Sequence, residues 1–414
     1  DEGAIDPATH DDHRATYDRA LALERKLTGA RLVQLAAVRR TIDAIAGRGQ
    51  FTVSRVPSLF LTLERNIRWW TTGPLLAPGR RVSFEGSEIV WQYYPGQGLQ
   101  IQVLGTFGKL NALWRAKRDG AMERLLDEML ALPAERAGGL AWEYLFTFNG
   151  GAPPWVSGLA QGTGVQAISR AATRLDRQAE VFPIAQRALA IFEAPPPAGV
   201  RVPDGDGAHY LIYSFAPAFR VLNGFAQAVI GLHDFAKLSA DPRAQALYEA
   251  GERVARRETP AFDTGAWSLY SRGSLTRESD LNYHRLVTDF LSGLCDRTGA
   301  DAYCGTAERF TDYLTEKPAL RVTTRKLRGG TIGKLRFRLS KISRVGVEVR
   351  RGGRLVLSRP AFVGSRGERF VGWAVPRAPG AYEVQMTAVD LAGNVGNTAA
   401  VVEVLKPKRK RKRP

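Results

Sequence analysis

No apolar run in this chain approaches the roughly 20 residues needed to cross a bilayer as a helix, so no membrane span is expected. Cysteine is nearly absent. Cys295 and Cys304 are the only two in 414 residues, and with no histidine or third cysteine close beside them a zinc site is not expected. They lie nine apart, at the end of one helical pattern and the start of the next. Such a pair either closes a short disulfide loop, contributing roughly 2–3 kcal/mol and implying an oxidising compartment, or stays as two buried thiols. The disulfide is the expectation. The first residue is Asp1 rather than methionine, which fits removal of a leader and a secreted or cell-envelope location.

Negative charge is what the C-terminal part lacks. From Pro318 onward there are 23 Lys and Arg against 5 Asp and Glu, out of totals of 59 and 41. Residues 1–317 therefore hold 36 of each, and the whole net charge of +18 belongs to the C-terminal part. Seven of these cations sit in the tail from Lys406, KPKRKRKRP. A neutral larger part, without a basic stripe interleaved with aromatics, argues against a nucleic-acid partner. The tail would either contact an anionic cell-envelope polymer or remain solvated and disordered.

What is present is enough for two or three domains, with apolar residues at 44% supplying a core. Residues 1–15 read as a polar, frayed end. Leucine, isoleucine and valine then recur at helical intervals from Thr16 to about Gly47, giving an N-terminal helical segment, 1–50. Turn signals at Gly73-Pro74 and Pro78-Gly79, with short alternating runs, mark a small β-rich or irregular segment, 51–105. Residues 106–317 alternate amphipathic helices with loops and carry almost no strand signal. The expected helices are 106–117, 120–132, 157–174, 178–193, 217–237, 241–257, 281–295 and 300–315. Consecutive helix pairs of this kind close into an (α/α) toroid or barrel, or stack openly. Beyond Pro318 the period switches to two, and six strand-like runs with a Gly352-Gly353 hairpin turn predict an immunoglobulin-like β-sandwich over 318–405, followed by the basic tail, 406–414.

The richest chemistry lies in FDTGAWSLYSRGSLTRESDLNYHRLVTDFLSGL, residues 262–294. Its first half reads as a loop and its second as a helix N-capped by Asp280. That puts Tyr283 and His284 in a first turn, where unpaired N–H groups welcome an anion. Trp267, Tyr270, Arg272 and Arg277 precede them. Such a stretch suits a carboxylated sugar, although the same aromatics would also serve as core.

Five segments, in order, resemble the D-glucuronyl C5-epimerase family in its C-terminal helical domain. They are YYPGQGLQIQ with FGKLNALW (93–114), WVSGLAQGTGVQAISRA (155–171), FRVLNGFAQAVIGLHDF (219–235), FDTGAWSLYS (262–271) and LNYH (281–284). The resemblance implies a small β-rich part on an (α/α) barrel, a possible homodimer, and inversion at C5 of glucuronate within an acidic polysaccharide, giving iduronate, with no metal or nicotinamide required. Chemically, the C5 proton lies beside a carboxylate that gathers charge as the proton leaves. Hydrogen-bond donors or an arginine must hold that carboxylate, and two acid/base groups must act from opposite faces.

By this resemblance Tyr213, Tyr270 and Tyr283 are the candidate catalytic phenols, with Arg272 and His284 beside them and the phenols expected to meet in one cleft. Tyr94, Trp155, Gln161, Arg220, Asn223, Trp267 and Arg277 are the candidates to hold substrate. Two departures stand out. Acidic residues, one of them a glutamate implicated in proton transfer, precede the early tyrosine in the family, but here Leu211 and Ile212 do. The loop tyrosine is followed by Ser271-Arg272-Gly273-Ser274 rather than Asp-Leu-Arg-His, so Arg272, Arg220 or Arg277 would supply the arginine. A polysaccharide uronate epimerase is the leading expectation. A non-catalytic binder of acidic glycans and a uronate lyase are the alternatives.

Overall fold

A computed structural model describes residues 5–408, so the basic run from Arg409 in the predicted tail lies outside the described residues. The chain divides into two compact units, residues 1–258 with 273–275, and residues 259–272 with 276–414.

The first unit begins with α1 (Pro7–Glu24), α2 (Gly29–Gly47) and α3 (Val56–Thr72). The end expected to fray is helical because Asp6 accepts a bond from the Thr9 N–H and Pro7 follows it, a start signal that the polar composition obscured. The segment from 51 was expected to be β-rich or irregular, yet Val56, Leu59, Phe60, Leu63 and Trp70 bury one face of a helix there. Then come β1 (Arg81–Val82), β2 (Trp91–Tyr94) and β3 (Gly98–Ile101), a small antiparallel sheet. The chain continues through α4 (Val103–Arg115), α5 (Asp119–Leu130), the hairpin β4 (Ala134–Arg136) and β5 (Gly139–Ala141), α6 (Gly158–Leu175) and α7 (Gln178–Ala188). It closes with the hairpin β6 (Arg201–Asp204) and β7 (Gly207–Tyr210), β8 (Phe219–Val221), α8 (Leu222–Ser239) and α9 (Pro242–Glu258). The short strands between helices correct the expectation of almost none. They are two to four residues long, too short for an alternating pattern to register.

Helices α6 and α8 are buried on every side along most of their length. They approach closely because glycines face each other. A Cβ at Gly162 would stand 2.7 Å from the Ala228 Cα, and one at Gly231 would collide with the Gly162 carbonyl. Gly231→Ala should therefore lower stability by about 1–3 kcal/mol despite alanine's better helix propensity. Urea unfolding followed by tryptophan fluorescence checks it, and an unchanged midpoint would refute the close packing.

The second unit carries β9 (Leu269–Gly273), β10 (Arg277–Glu278), α10 (Leu281–Thr298) and α11 (Asp301–Asp312). Cys295 and Cys304 are disulfide-bonded between these two helices. A β-rich region follows, with β11 (Leu320–Val322), β12 (Lys326–Arg328), β13 (Ile332–Leu339), β14 (Ser343–Arg351), β15 (Arg354–Gly364), β16 (Gly367–Ala374), β17 (Gly380–Asp390) and β18 (Val395–Leu405). Its strands form a three-stranded sheet, β11-β13-β16, and a five-stranded sheet, β12-β18-β17-β14-β15. Alternate residues of both sheets, among them Phe337, Trp373, Val347, Tyr382 and Val402, fill one apolar core. Gly352 and Gly353 both have positive φ, 52° and 80°, and close the β14–β15 hairpin at the pair Arg351↔Arg354, the turn the sequence predicted.

Candidate active site

The predicted residues fall into two groups, one in each unit. In the first unit, Tyr144, Phe146 and Phe148 follow β5 at alternate positions, and an isolated bridge pairs Tyr144 with Trp155. Trp155 is buried, stacked on Tyr144 at 4.1 Å, with its Nε1 donating to the Phe146 carbonyl at 2.9 Å. Tyr213 meets the edge of Trp155 at 5.6 Å and lies parallel to Phe215 at 5.3 Å and Phe219 at 6.2 Å. Phe148 links Tyr213, at 5.7 Å, to Tyr94, at 6.4 Å. Burial raises the Tyr94 hydroxyl above the usual phenol range, against hydrogen bonds from Gln102 and Gln92. The result is a half-exposed aromatic floor of Tyr94, Phe148, Tyr213, Phe215 and Phe219 over buried Trp155, Tyr144 and Phe146.

The amides expected to hold substrate are inside. Gln161 is fully buried, its Nε2 donating to the Trp142 carbonyl at 2.8 Å and its Oε1 accepting from the Trp142 N–H at 3.3 Å. Asn223 is buried at the start of α8. The Gln161 amide pins the Trp142 backbone rather than meeting a ligand. Leu211 and Ile212 are buried as well. Leu211 exchanges backbone bonds with Val200 and Gly158, and Ile212 packs where Gly224 leaves room. Neither position offers a carboxylate access to solvent.

Arg220 is already engaged. Its Nη1 donates to Asp204 at 2.8 Å and also to Glu258. Glu258 in turn accepts from, or shares a proton with, His209 Nδ1 at 3.0 Å. Burial alone would raise the Glu258 carboxyl, but the bonds from His209 and Arg220 outweigh it and hold it low. Burial pushes the His209 imidazole down. This four-residue network escaped the sequence reading because its members, Asp204, His209, Arg220 and Glu258, share no spacing that a motif would show.

In the second unit, Asp280 caps α10 as expected, its Oδ1 accepting from the Tyr283 N–H at 2.8 Å. Tyr283 is 37% exposed and its ring lies 4.6 Å from that of buried Tyr270. Arg277 places its guanidinium 5.0 Å over the Tyr270 ring, whereas Arg272 stands over Phe262 at 5.5 Å. Of the three arginines considered, Arg277 is the one beside the phenols. Asp263, in the DTG loop, was not singled out by sequence, yet it fastens that loop by accepting from Arg309 at 2.8 Å and Tyr313 at 3.0 Å.

His284 departs from a catalytic role. It is fully buried and stacked on Trp267 at 3.6 Å. Its Nδ1 accepts from the Ser268 N–H at 3.3 Å, so Nε2 carries the proton and donates to the Phe310 carbonyl at 2.8 Å. Trp267, equally buried, donates its Nε1 to the Ser279 carbonyl. First-turn spacing placed His284 next to Tyr283 but on the inward face, which spacing alone did not distinguish. Burial, helped by the charges of Lys341 and Arg285, lowers its pKa from 6.5 to about 4. The unfolded state therefore binds more protons between about pH 6.5 and 4, and stability falls as pH drops through that window. Urea midpoints at pH 7.5 and 4.5 should show this. His284→Asn should shrink the difference, with His209, shifted the same way, supplying the rest.

Residues 138–312 match the family model described as D-glucuronyl C5-epimerase C-terminus. Over this stretch the chain is similar to the D-glucuronyl C5-epimerase family. A D-glucuronyl C5-epimerase of Caenorhabditis elegans is 28% identical over 185 residues, 40% of this chain and 30% of that protein. The chain thus spans under a third of the curated relative it matches. Among solved structures, the fibronectin(III)-like modules of Clostridium thermocellum CbhA are 22% identical with a TM-score of 0.16, covering 22% of this chain and 96% of theirs. Cellobiose 2-epimerase from Bacillus thermoamylovorans is 11% identical with a TM-score of 0.41, covering 69% of this chain and 74% of its own. Within the epimerase family match lie Tyr213, Tyr270 and Tyr283, and also the buried pair Leu211 and Ile212.

Proposed function

We propose that this chain is a polysaccharide uronate C5-epimerase, taking a proton from C5 of a D-glucuronate unit and returning one to the opposite face to give L-iduronate. The observation that carries the reading is the phenol pair Tyr270–Tyr283 beside Arg277 at the capped start of α10, inside the family match. In it, Tyr283 is the exposed acid/base and Arg277 holds the sugar carboxylate as charge develops there. The two rings stand too close to bracket a pyranose, so they serve one face only. Inversion requires a second acid/base group for the other. Tyr94, Phe148 and Tyr213 offer flat apolar surfaces of the kind on which sugar rings stack. His284 and Trp267 set the start of α10 rather than touch substrate.

The finer architecture belongs to the same proposal, with the helical part as an (α/α) toroid and the β-rich region as an immunoglobulin-like sandwich. The disulfide supports work in an oxidising, secreted or envelope setting. A second reading has one observation behind it. Buried Leu211 and Ile212 occupy positions that are acidic in the family, as expected of a glycan binder that no longer turns over.

One assay decides between them. The protein is incubated with a glucuronate polymer in deuterated water, and C5 deuterium, iduronate and unsaturated chain ends are measured. Deuterium with iduronate is the expected result. Binding without exchange would establish the second reading, and unsaturated ends would make the protein a lyase.

A further inference from the structure

The outer face of the three-stranded sheet is cationic in a way its fold does not require. Along β13 the burial alternates without a break, so Leu335, Phe337 and Leu339 enter the core and Lys334, Arg336 and Arg338 point outward. Those three charges are spaced about 6.6 Å apart along one strand. Arg321 of β11 is the direct cross-strand partner of Arg338. Like charges placed opposite each other destabilise a sheet, and among the described residues no carboxylate forms an ion pair with Arg321, Lys334, Arg336 or Arg338. Glu368, the acid on β16 opposite Arg338, instead accepts from the Thr323 hydroxyl. Phe370 is 51% exposed on the same face, with the Lys334 ammonium 4.5 Å over its ring.

Beside this face lies a cleft of about 370 Å³ within the same unit, lined by Thr264, Gly265, Arg321, Arg338, Ser340 and Arg366. Three arginines therefore border one concavity, and Arg321 and Arg338 belong to both cleft and strand face. A regular row of cations, an exposed aromatic and an arginine-rimmed cleft together suit a ligand that repeats its negative charge and presents flat apolar rings. A chain of uronate sugars has both properties. Its carboxylates would pair with the arginines, and a pyranose face would lie on Phe370.

We infer that the outer face of β11-β13-β16, with its adjoining cleft, is a second binding surface for a linear acidic polysaccharide, separate from the residues that turn the sugar over. The class of ligand rests on the function proposed above, whereas the surface stands on its own geometry. It gives the β-rich region a task beyond spacing. By holding a distant stretch of polymer it would raise the local concentration of the remainder.

The test uses the full chain, with the basic tail in place, and two probes: a glucuronate polysaccharide of many repeats and a glucuronate-containing tetrasaccharide. Arg336→Ser with Arg338→Ser removes two outward charges and leaves the core untouched. It should weaken polymer binding at least tenfold and flatten its dependence on salt, with tetrasaccharide turnover unchanged. Phe370→Ala should weaken polymer binding several-fold without altering the salt dependence. Arg321→Thr should weaken binding while raising the thermal midpoint at low salt, which a purely structural arginine would not do. Polymer binding that survives the paired substitution would overturn the inference, since the tail would then carry it. So would equal loss of binding to duplex DNA with no preference for the polysaccharide. A chain that binds polymer through these arginines but exchanges no C5 proton would refute the epimerase reading and leave this one standing.

Discussion

Replacing Lys341 with methionine should remove about 3–5 kcal/mol of stability, an effect of the size seen when one partner of a buried ion pair is lost. The Lys341 ammonium and the Asp390 carboxylate are 2.8 Å apart with side chains only 2% and 1% exposed. All three ammonium donors have partners, since Nζ also donates to the carbonyls of Tyr313 at 2.8 Å and Glu316 at 2.6 Å. It lies 5.3 Å over the Trp267 ring as well. Methionine keeps the bulk but strands the Asp390 charge and two carbonyls. Burial alone would raise the Asp390 carboxyl, but the bonds from Lys341 and Asn394 outweigh it and hold its pKa below the usual 3.8. Stability from this pair is therefore fully present above pH 3.8 and lost as pH falls through the lower folded value. Adding Asp390→Asn to Lys341→Met should recover part of the loss, because the charge disappears while the amide oxygen still accepts from the N–H groups of Ala392 and Asn394. A loss under about 1 kcal/mol in Lys341→Met would mean that water reaches the pair.

That interaction shows where the sequence was readable and where it was not. Asp390 and Asn394 form the turn between β17 and β18 within DLAGNVGN, a run of turn-forming residues. Turn chemistry is local, so it appears in a run of eight residues. The partner, Lys341, lies 49 residues earlier with no local signal to mark it, and only the closed fold brings it to Asp390. The same division runs through the helical region. Helices α4 to α11 were recognisable from their periodicity, and the Asp280 cap from its place before an apolar stripe. Helix α3 was missed because the aromatic and turn-forming residues around it obscured five buried apolar positions at helical spacing.

The candidate site divides in a similar way. Motif order named Tyr270 and Tyr283, and they do lie against each other. Motifs did not tell which neighbouring cations were free. Arg220 was a candidate to hold substrate but is held by Asp204 and Glu258, and His284 was a candidate beside the catalytic phenols but has both nitrogens bonded to protein. Which of two adjacent first-turn residues faces inward is decided by the surface its helix packs on. Of the aromatic floor, the motifs named Tyr94, Trp155 and Tyr213, whereas Tyr144, Phe146, Phe148, Phe215 and Phe219 join them only through the fold.

Tyr283→Phe should lower C5 deuterium exchange by about 10²–10⁴, the usual range for removing a general acid/base, while weakening polymer binding less than tenfold, or about 1.4 kcal/mol. The substitution deletes one hydroxyl. It leaves the ring against that of Tyr270, and the Asp280 cap uses the backbone N–H of this residue, so the fold has no reason to change. Tyr270→Phe should cost less, because Tyr270 is buried and 8% exposed against 37% for Tyr283. Arg277→Gln should lower exchange and weaken binding together, since the cation is proposed to hold the carboxylate both before and during proton loss, whereas Arg277→Lys should restore binding more than rate because an ammonium lacks the planar fork. Tyr213→Phe is read by the same assay. Retained C5 deuterium with loss of iduronate would make Tyr213 the second acid/base group, since inversion needs two groups and exchange needs one. Full exchange in Tyr283→Phe would remove the phenol from the chemistry and leave the pair as a sugar-binding surface only.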